Sequence, residues 1–541
     1  LRCLVGSEMC IRDRVFMSAY RLNGKESLGI EFGSTRIKAV LVDENCNPIA
    51  SGGHTWENRL ENGYWTYHND DIWLGLQDAY SKLNTDCVEK FGSPIKNLAS
   101  LGFSAMMHGY LPFDKNGNQL AEFRTWRNTT TAPAAQKLTA LFDFNIPQRW
   151  SVAHLYQAVL NGEEHVADID YLTTLAGYVH WKLSGIKAVG VGEASGMFPI
   201  DSQTNTYNAE MVKKFDSICE IKALPWNILD ILPRVATAGD NCGYLTKEGA
   251  ALLDVSGNLQ SGVPMCPPEG DAGTGMVATN SVTIKTGNVS AGTSIFSMIV
   301  LEKQLSKVYE EIDMVTTPAG KPVAMVHCNN CCTDLDYWVN LFADFAGKSG
   351  SNLTKPQIYD LLYNAALDGD SDCGGVVNFN YFSGEPVSHT EDGRPMFLRS
   401  QNCNFNLPNF MRAQIYSTIA TLKLGMEILE NENAKIDCLM GHGGLFKTDY
   451  VGQRFMAGAM NTPVTVTKTA GEGGAWGMAV LAAYSVCDSK LPLDEYLRDF
   501  VFADCESTTV EPVASDVEGF NKYMKLYKSA LEVEKSAYKN I

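Results

Sequence analysis

Positive charge is in short supply: 44 Lys and Arg residues face 62 Asp and Glu, leaving a formal net charge of −18. A surface that grips a phosphate backbone rests on clustered Lys and Arg, so no nucleic-acid partner is expected and a small-molecule ligand is favoured. Long apolar runs are missing too. None approaches the ~20 residues of a membrane-spanning helix; the longest, around WGMAVLAAYSVC, suits a buried helix, and no membrane partner is expected. The 15 cysteines are an odd count without repeated spacing. That argues against a disulfide framework and suits a reducing cytosol, hence a cytoplasmic protein. One tight group, HCNNCC at residues 327–332, has metal-ligating side chains but lacks a second ligand pair at a suitable distance.

Two common nucleotide signatures are absent. AGKSG at residues 346–350 ends like a P-loop, but Phe342 stands where the earlier glycine belongs. GEGGAWG at residues 471–477 has Trp476 in place of the third glycine of the dinucleotide fingerprint. Neither a P-loop NTPase nor a Rossmann dehydrogenase is supported. The N-terminal stretch LRCLVGSEMCIRDR lacks the apolar centre of a signal peptide. Its LVGSEMCIRD core resembles the translation of a transposon-based sequencing-library adapter. Residues 1–16 are therefore expected to be a non-native leader, with the native start near Met17.

What is present describes an ordinary folded protein, 45% hydrophobic and 20% charged over 541 residues. That length exceeds what one core usually organises, and two domains of about 250 residues are expected. Residues 28–42 read as strand, tight turn, strand, and NCNP near Asn45 supplies a second turn. Residues 70–83 read as a helix whose opening acidic pair suits the helix dipole. LASLGFSAMMHG, residues 98–109, reads as a buried strand running into a polar turn, where a sheet presents ligand-binding residues. Helix-like stretches follow to Trp181, and the prolines of PMCPP at residues 264–268 disfavour regular structure. The predicted domains are 17–262 and 263–541. FGSTRIKAVLVDE at residues 32–44 aligns without a gap to AGTSIFSMIVLEK at residues 291–303, which suggests two similar α/β domains facing each other across a cleft.

Several short motifs carry chemistry. At the turn Gly33-Ser34-Thr35, glycine lets the backbone come close while N–H groups and hydroxyls donate to phosphate oxygens; a plain structural hairpin is the alternative. Gly292-Thr293-Ser294 is its twin. In PPEGDAGTGMV, Asp271 lies among small residues and either accepts a proton from a substrate hydroxyl or caps a helix. Met107 and His108 in SAMMHG either line a polyol pocket or belong to the core. The glycines of CLMGHGG, Gly443 and Gly444 among them, let a flat ring and its ribose lie against backbone, or serve close helix–strand packing.

Taken in this order, the segments resemble the FGGY carbohydrate kinases of the sugar kinase and actin-like ATPase superfamily, most closely the xylulokinases. GIEFGST stands at the family's first phosphate hairpin, MMHG at the sugar motif, EGDAGTG at the catalytic segment, AGTS at the second phosphate motif, and GHGG with GEGGAWGMA at the adenosine turn. The resemblance implies an α/β fold of two actin-like (ribonuclease H-like) domains with a catalytic cleft between them. It implies ATP-dependent phosphorylation of a sugar hydroxyl, with Asp271 as general base and Met107, His108 and Trp126 around the sugar. Gly33, Ser34, Thr35, Gly292, Thr293 and Ser294 would hold the phosphates and Gly443 and Gly444 the adenosine. Mg²⁺ would stand near Glu31 and Asp271 through water. The expected partners are a sugar, such as D-xylulose, and ATP; a homodimer is left open. Glu31 replaces the usual aspartate, Met106 a glutamine, and Ala272 an asparagine, and Arg127 in WRN is a further departure. These changes leave kinases of ribulose, gluconate or a deoxyketose as alternatives. A non-catalytic actin-like ATP-binding module and a metal-binding protein built on HCNNCC are the rivals from other classes.

Overall fold

The computed structural model describes residues 20–468 and 473–540. The leader expected at residues 1–16 and the first two residues of GEGGAWG lie outside the described residues. Packing divides the chain into two compact units. The first comprises the described residues within Leu1–Asn280, Val315–Lys321 and Glu472–Asp504, and the second those within Ser281–Met314, Pro322–Gly471 and Cys505–Ile541.

The first unit opens with β1 (Ser27–Phe32), β2 (Arg36–Val42) and β3 (Pro48–Thr55), an antiparallel meander. Between β2 and β3 the Asp43 carboxylate accepts the N–H groups of Asn45 and Asn47, closing the turn expected at NCNP. Helix α1 (Asn69–Phe91) carries Asp70 and Asp71 in its first turn and ends on Gly92 at φ 74°. It runs beyond the predicted 83 because Leu83, Cys87 and Phe91 extend the buried stripe of Ile72, Leu76 and Tyr80 through an otherwise polar stretch. At Gly52 in β3 an added Cβ would lie 2.2 Å from the Ala79 carbonyl oxygen, so glycine lets α1 settle on the sheet.

Strand β4 (Ser100–Ala105), buried throughout, runs parallel to β1. Helices α2 (Ser151–Leu160), α3 (Leu175–Ser184) and the single turn α4 (Val191–Ala194) follow. Strand β5 (Glu269–Gly270) then pairs parallel to β4, which makes the sheet order β5-β4-β1-β2-β3. Helix α5 (Asp271–Ala278) begins immediately. Residues 263–280 thus belong to the first unit rather than opening a new domain at 263: the prolines interrupt regular structure, but the backbone after them returns to the first sheet.

In the second unit β6 (Thr286–Ala291), β7 (Ile295–Val300) and β8 (Pro322–Cys328) form a second antiparallel meander. Helices α6 (Thr333–Lys348) and α7 (Leu407–Asn431) pack into its core, and β9 (Cys438–Gly443) and β10 (Val464–Thr467) add parallel strands. Within this seven-stranded sheet the inner order β10-β9-β6-β7-β8 repeats that of β5-β4-β1-β2-β3, strand for strand and direction for direction. The echo read in the sequence is therefore a repeated topology. The hairpin registers differ by one residue, however: Phe32 faces Ile37 across a four-residue loop, whereas Ala291 faces Ile295 across three.

The chain then returns to the first unit as α8 (Gly473–Val486), which is apolar on nearly every side. It lies on β1, where a Cβ at Gly29 would sit 2.2 Å from both the Ala475 carbonyl oxygen and the Ala479 nitrogen. None of the described helices is long and apolar enough to cross a membrane.

Candidate active site

Strands β1, β4 and β5 run parallel and end side by side, with Phe32 and Gly270 both facing Ala105. The chain leaves this edge as Gly33, as Met106-Met107-His108 and as Asp271. The C-terminal ends of parallel strands are where open α/β sheets bind ligands. The Met106 N–H donates to the Phe32 carbonyl at 3.0 Å, continuing the β1–β4 ladder one residue past the strand. The Met107 N–H donates to Asp271 Oδ1 at 3.2 Å, and the Ala272 N–H donates to the same oxygen at 2.9 Å. Three of the sequence-predicted residues, Met107, His108 and Asp271, are thereby gathered at one edge. Burial disfavours the charged form of Asp271 more than these hydrogen bonds favour it, and its pKa is pushed up to about 6.

Glu31 joins them from β1. Its Oε2 accepts the Ala475 N–H in the first turn of α8 at 3.2 Å, a bond the helix dipole reinforces. Burial of the carboxyl and the nearby Asp271 charge push its pKa up to about 7. Gly474 makes room: a Cβ there would lie 2.3 Å from Glu31 Oε1 and 2.8 Å from Thr274 Oγ1. Two mutually repelling carboxylates that offer only oxygen acceptors suit a hard divalent cation, directly or through water. The donor set therefore fits Mg²⁺.

His108 adopts φ 71° and Gly109 φ 100°, so the MMHG segment turns sharply off the strand. A side chain at Gly109 would run into Phe123 and the Arg124 carbonyl oxygen, at 2.7 and 2.9 Å. The His108 Nδ1–H donates to the Gly196 carbonyl at 3.1 Å, which leaves Nε2 to accept the Arg149 Nε–H at 3.2 Å. The ring also stacks on Trp150 with centroids 6.3 Å apart. Trp126 is half-buried against the first core, on the segment whose Arg124 bridges to Tyr110. Arg149 and Gly196 carried no sequence signal: each matters only through His108, from loops distant in the chain.

Beneath this edge lie two further acids. Glu269 accepts the N–H groups of Gly192 at 3.4 Å and Glu193 at 2.9 Å, yet burial pushes its pKa up to about 8. Glu193 is fully buried and held well above the carboxylate range by that burial. An added Cβ at Gly270 would meet Glu193 Oε2 at 2.5 Å and Met107 Cγ at 2.2 Å, so the residue before Asp271 must be small.

In the second unit the turn Gly292-Thr293-Ser294 is closed by the Gly292 N–H donating to Ser294 at 2.9 Å. Gly443 pairs directly with Ala291, at φ 100°, and a Cβ there would be 2.4 Å from the Ala291 carbonyl oxygen. The second hairpin turn and the Gly443-Gly444 turn are thus neighbours. HCNNCC resolves differently from a metal site: Cys328, Cys331 and Cys332 are core residues, and His327 stacks on Phe296. Among the described residues no group of three or more His, Cys, Asp or Glu is arranged to hold a metal ion.

Comparison with known proteins identifies the family and the fold. Residues 27–277 match the N-terminal domain, and residues 287–486 the C-terminal domain, of the FGGY family of carbohydrate kinases. A xylulose kinase of Haemophilus influenzae is 22% identical over 518 residues, covering 93% of this chain and 99% of that protein. Among solved structures, a ligand-bound xylulose kinase from Lactobacillus acidophilus superposes with TM-score 0.76 at 17% identity, covering 95% of this chain and 99% of that one. A gluconate kinase from the same organism gives TM-score 0.75 at 17% identity, covering 95% and 98%. The two-unit fold with its paired hairpins is that of sugar kinases, and the chain belongs to the FGGY family of carbohydrate kinases.

Proposed function

We propose that this kinase transfers the γ-phosphoryl group of ATP to a hydroxyl of a ketopentose, D-xylulose foremost. The observation that carries the reading is the Met107–Asp271 hydrogen bond, which sets a carboxylate against the sugar motif. In the reaction, Asp271 accepts the proton of the sugar hydroxyl as that oxygen attacks phosphorus, and ADP leaves. Met107, His108 and Trp126 hold the sugar. His108 is kept in one tautomer by Gly196 and Arg149, so its ring presents a fixed face. The turns Gly33-Ser34-Thr35 and Gly292-Thr293-Ser294 donate backbone N–H groups and hydroxyls to the phosphates, and Gly443 and Gly444 admit adenosine against the backbone.

Glu31 and Asp271 are the residues that would hold Mg²⁺, through water, and the ion would offset the negative charge of the phosphate oxygens. The replacement of aspartate by glutamate at position 31 extends the carboxylate by one methylene, and its anchor on the Ala475 N–H limits where it can reach. The 13 cysteines among the described residues are all free thiols, which suits work in the reducing cytoplasm.

Xylulose is the sugar named for relatives that match over most of the chain, at about one-fifth identity. An ADP-release assay over D-xylulose, ribulose, gluconate, deoxyketoses and glycerol tests the choice. The expected result is the highest kcat/KM on D-xylulose. A clear preference for another sugar moves the assignment to that sugar, and ATP binding with no turnover on any would overturn the catalytic reading.

A further inference from the structure

The His108 Nδ1–H donates to the Gly196 carbonyl and Nε2 accepts the Arg149 Nε–H, so both ring nitrogens are committed within the protein. One face of the ring lies toward Trp150, which leaves the imidazole its other face to offer a ligand. Arg149, two residues before α2, is fastened to the same turn twice. Its carbonyl accepts the Gly109 N–H at 3.4 Å, and its side chain reaches His108 at 3.2 Å. It is half-buried, against 5% exposure for His108, so Arg149 keeps more surface toward a ligand. Burial pulls its pKa down to about 10, and at neutral pH it remains a cation. Inside the protein Arg149 acts through His108; toward a ligand at the ends of β1, β4 and β5 it is the donor of the pair.

The two residues together form a donor-only patch. A guanidinium carries five N–H donors and no acceptor, and the one imidazole acceptor beside it, Nε2, is taken up by Arg149 itself. Asp271, tied to the same segment through the Met107 N–H, is the opposite: ionised, it only accepts. Sugar oxygens differ in the same way. A hydroxyl brings a proton that needs an acceptor, which suits the reacting hydroxyl at Asp271. A ketone oxygen has lone pairs and no proton, which suits Arg149. A hydroxyl in the place of the ketone could accept from Arg149, but its own proton would face donors, and an unplaced polar hydrogen in a desolvated site weakens binding.

We propose that Arg149 is a specificity-determining residue that donates to the ketone oxygen of the sugar and so separates a ketopentose from the corresponding pentitols. The inference rests on the reading of this edge as the site of a ketose, and it adds the group that recognises the ketone.

The test measures dissociation constants on the full chain by calorimetry, without ATP, for D-xylulose and for xylitol and D-arabinitol, its two reduction products. The unaltered chain should bind D-xylulose about tenfold more tightly than either pentitol, the scale of one hydrogen bond to a charged group. Arg149→Met keeps the length of the side chain and removes its donors. It should erase the preference by weakening D-xylulose alone, because His108 Nε2 then becomes an acceptor for a pentitol hydroxyl; ATP affinity should hold. Equal weakening of ketose and pentitols would mark a general loosening of the pocket and overturn the inference, as would a D-xylulose affinity that the variant leaves unchanged. If the variant does not fold, the unaltered chain decides, since pentitols bound as tightly as D-xylulose also overturn it. Should ribulose or a deoxyketose bind best, that ketose and its own reduction products take the place of D-xylulose. Ketose binding without ADP release would overturn the catalytic reading and leave the role of Arg149 standing; a chain that binds no ketose overturns both.

Discussion

The Met107 N–H donates to Asp271 Oδ1 at 3.2 Å, joining residues 164 positions apart. The bond ties the turn after β4 to the first residue of α5, and so holds the MMHG segment against the proposed base.

Asp271→Asn keeps the shape of the side chain and removes its basicity. Sugar-dependent ADP release should fall by about 10²- to 10⁴-fold, the usual worth of general-base catalysis, with ATP affinity little changed. Calorimetry alongside the coupled assay separates the two effects, and undiminished turnover would dismiss Asp271 as the base.

A base works only when unprotonated, and burial holds the Asp271 carboxyl at about 6. The kcat/KM for sugar is therefore expected to rise with pH through that value and level off above it. A profile measured at constant ionic strength that is flat across this region contradicts the assignment.

His108→Ala leaves the Arg149 Nε–H without its imidazole acceptor and removes the ring from the proposed sugar side. The KM for sugar should rise roughly tenfold, the loss of about 1.4 kcal/mol of contact with the sugar. ATP affinity should hold; equal losses on both substrates would move His108 out of the sugar site.

Gly474→Ala places a Cβ 2.3 Å from Glu31 Oε1, forcing the carboxylate aside. Alanine also gains about 1 kcal/mol of helix propensity, which offsets part of the crowding. Activity and the Mg²⁺ concentration needed for half-maximal rate should change markedly while the thermal midpoint moves little. A large drop in midpoint with Mg²⁺ dependence unaltered would show that the position serves packing alone.

Glu269 retains its proton in the folded protein up to about pH 8, against an ordinary value of 4.5. Between those values the folded state binds more protons than the unfolded state, so stability falls as pH rises. Glu31, Asp271 and Glu385 act in the same direction over narrower windows. Denaturant midpoints measured across this range should decline with pH, and Glu269→Gln should flatten the slope. A variant slope as steep as that of the unaltered chain would place the effect elsewhere.

Local features were legible in the linear chain. Apolar strands meeting at glycine and hydroxyl residues announce both hairpins, because strand alternation and turn chemistry depend on neighbours in sequence. The start of α1 was equally plain from its acidic first turn. Its end was not, since three apolar residues keep a stripe alive through a polar run, and only contact with β3 rewards them.

The residues around the site divide along the same line. Asp271, Met107, His108 and the glycine turns stand in short motifs, so their candidacy could be read without a structure. Arg149, Gly196 and Glu269 gain meaning from what they touch, and those contacts cross long stretches of chain. The division between units followed the same rule: prolines near 264–268 look like a boundary, but two backbone residues after them pair with β4 and keep Asp271 in the first unit.

Composition and turn chemistry, by themselves, determined an acidic, two-part α/β protein, and the resemblance of its ordered motifs to the FGGY family supplied the sugar kinase. Tertiary structure decided the protonation of its acids, the tautomer of His108, the close approach of α8 to Glu31 and the fate of the cysteine cluster. Each of these depends on desolvation or on a contact a few ångströms long between residues far apart in the chain. No pattern of neighbours in sequence encodes such distances.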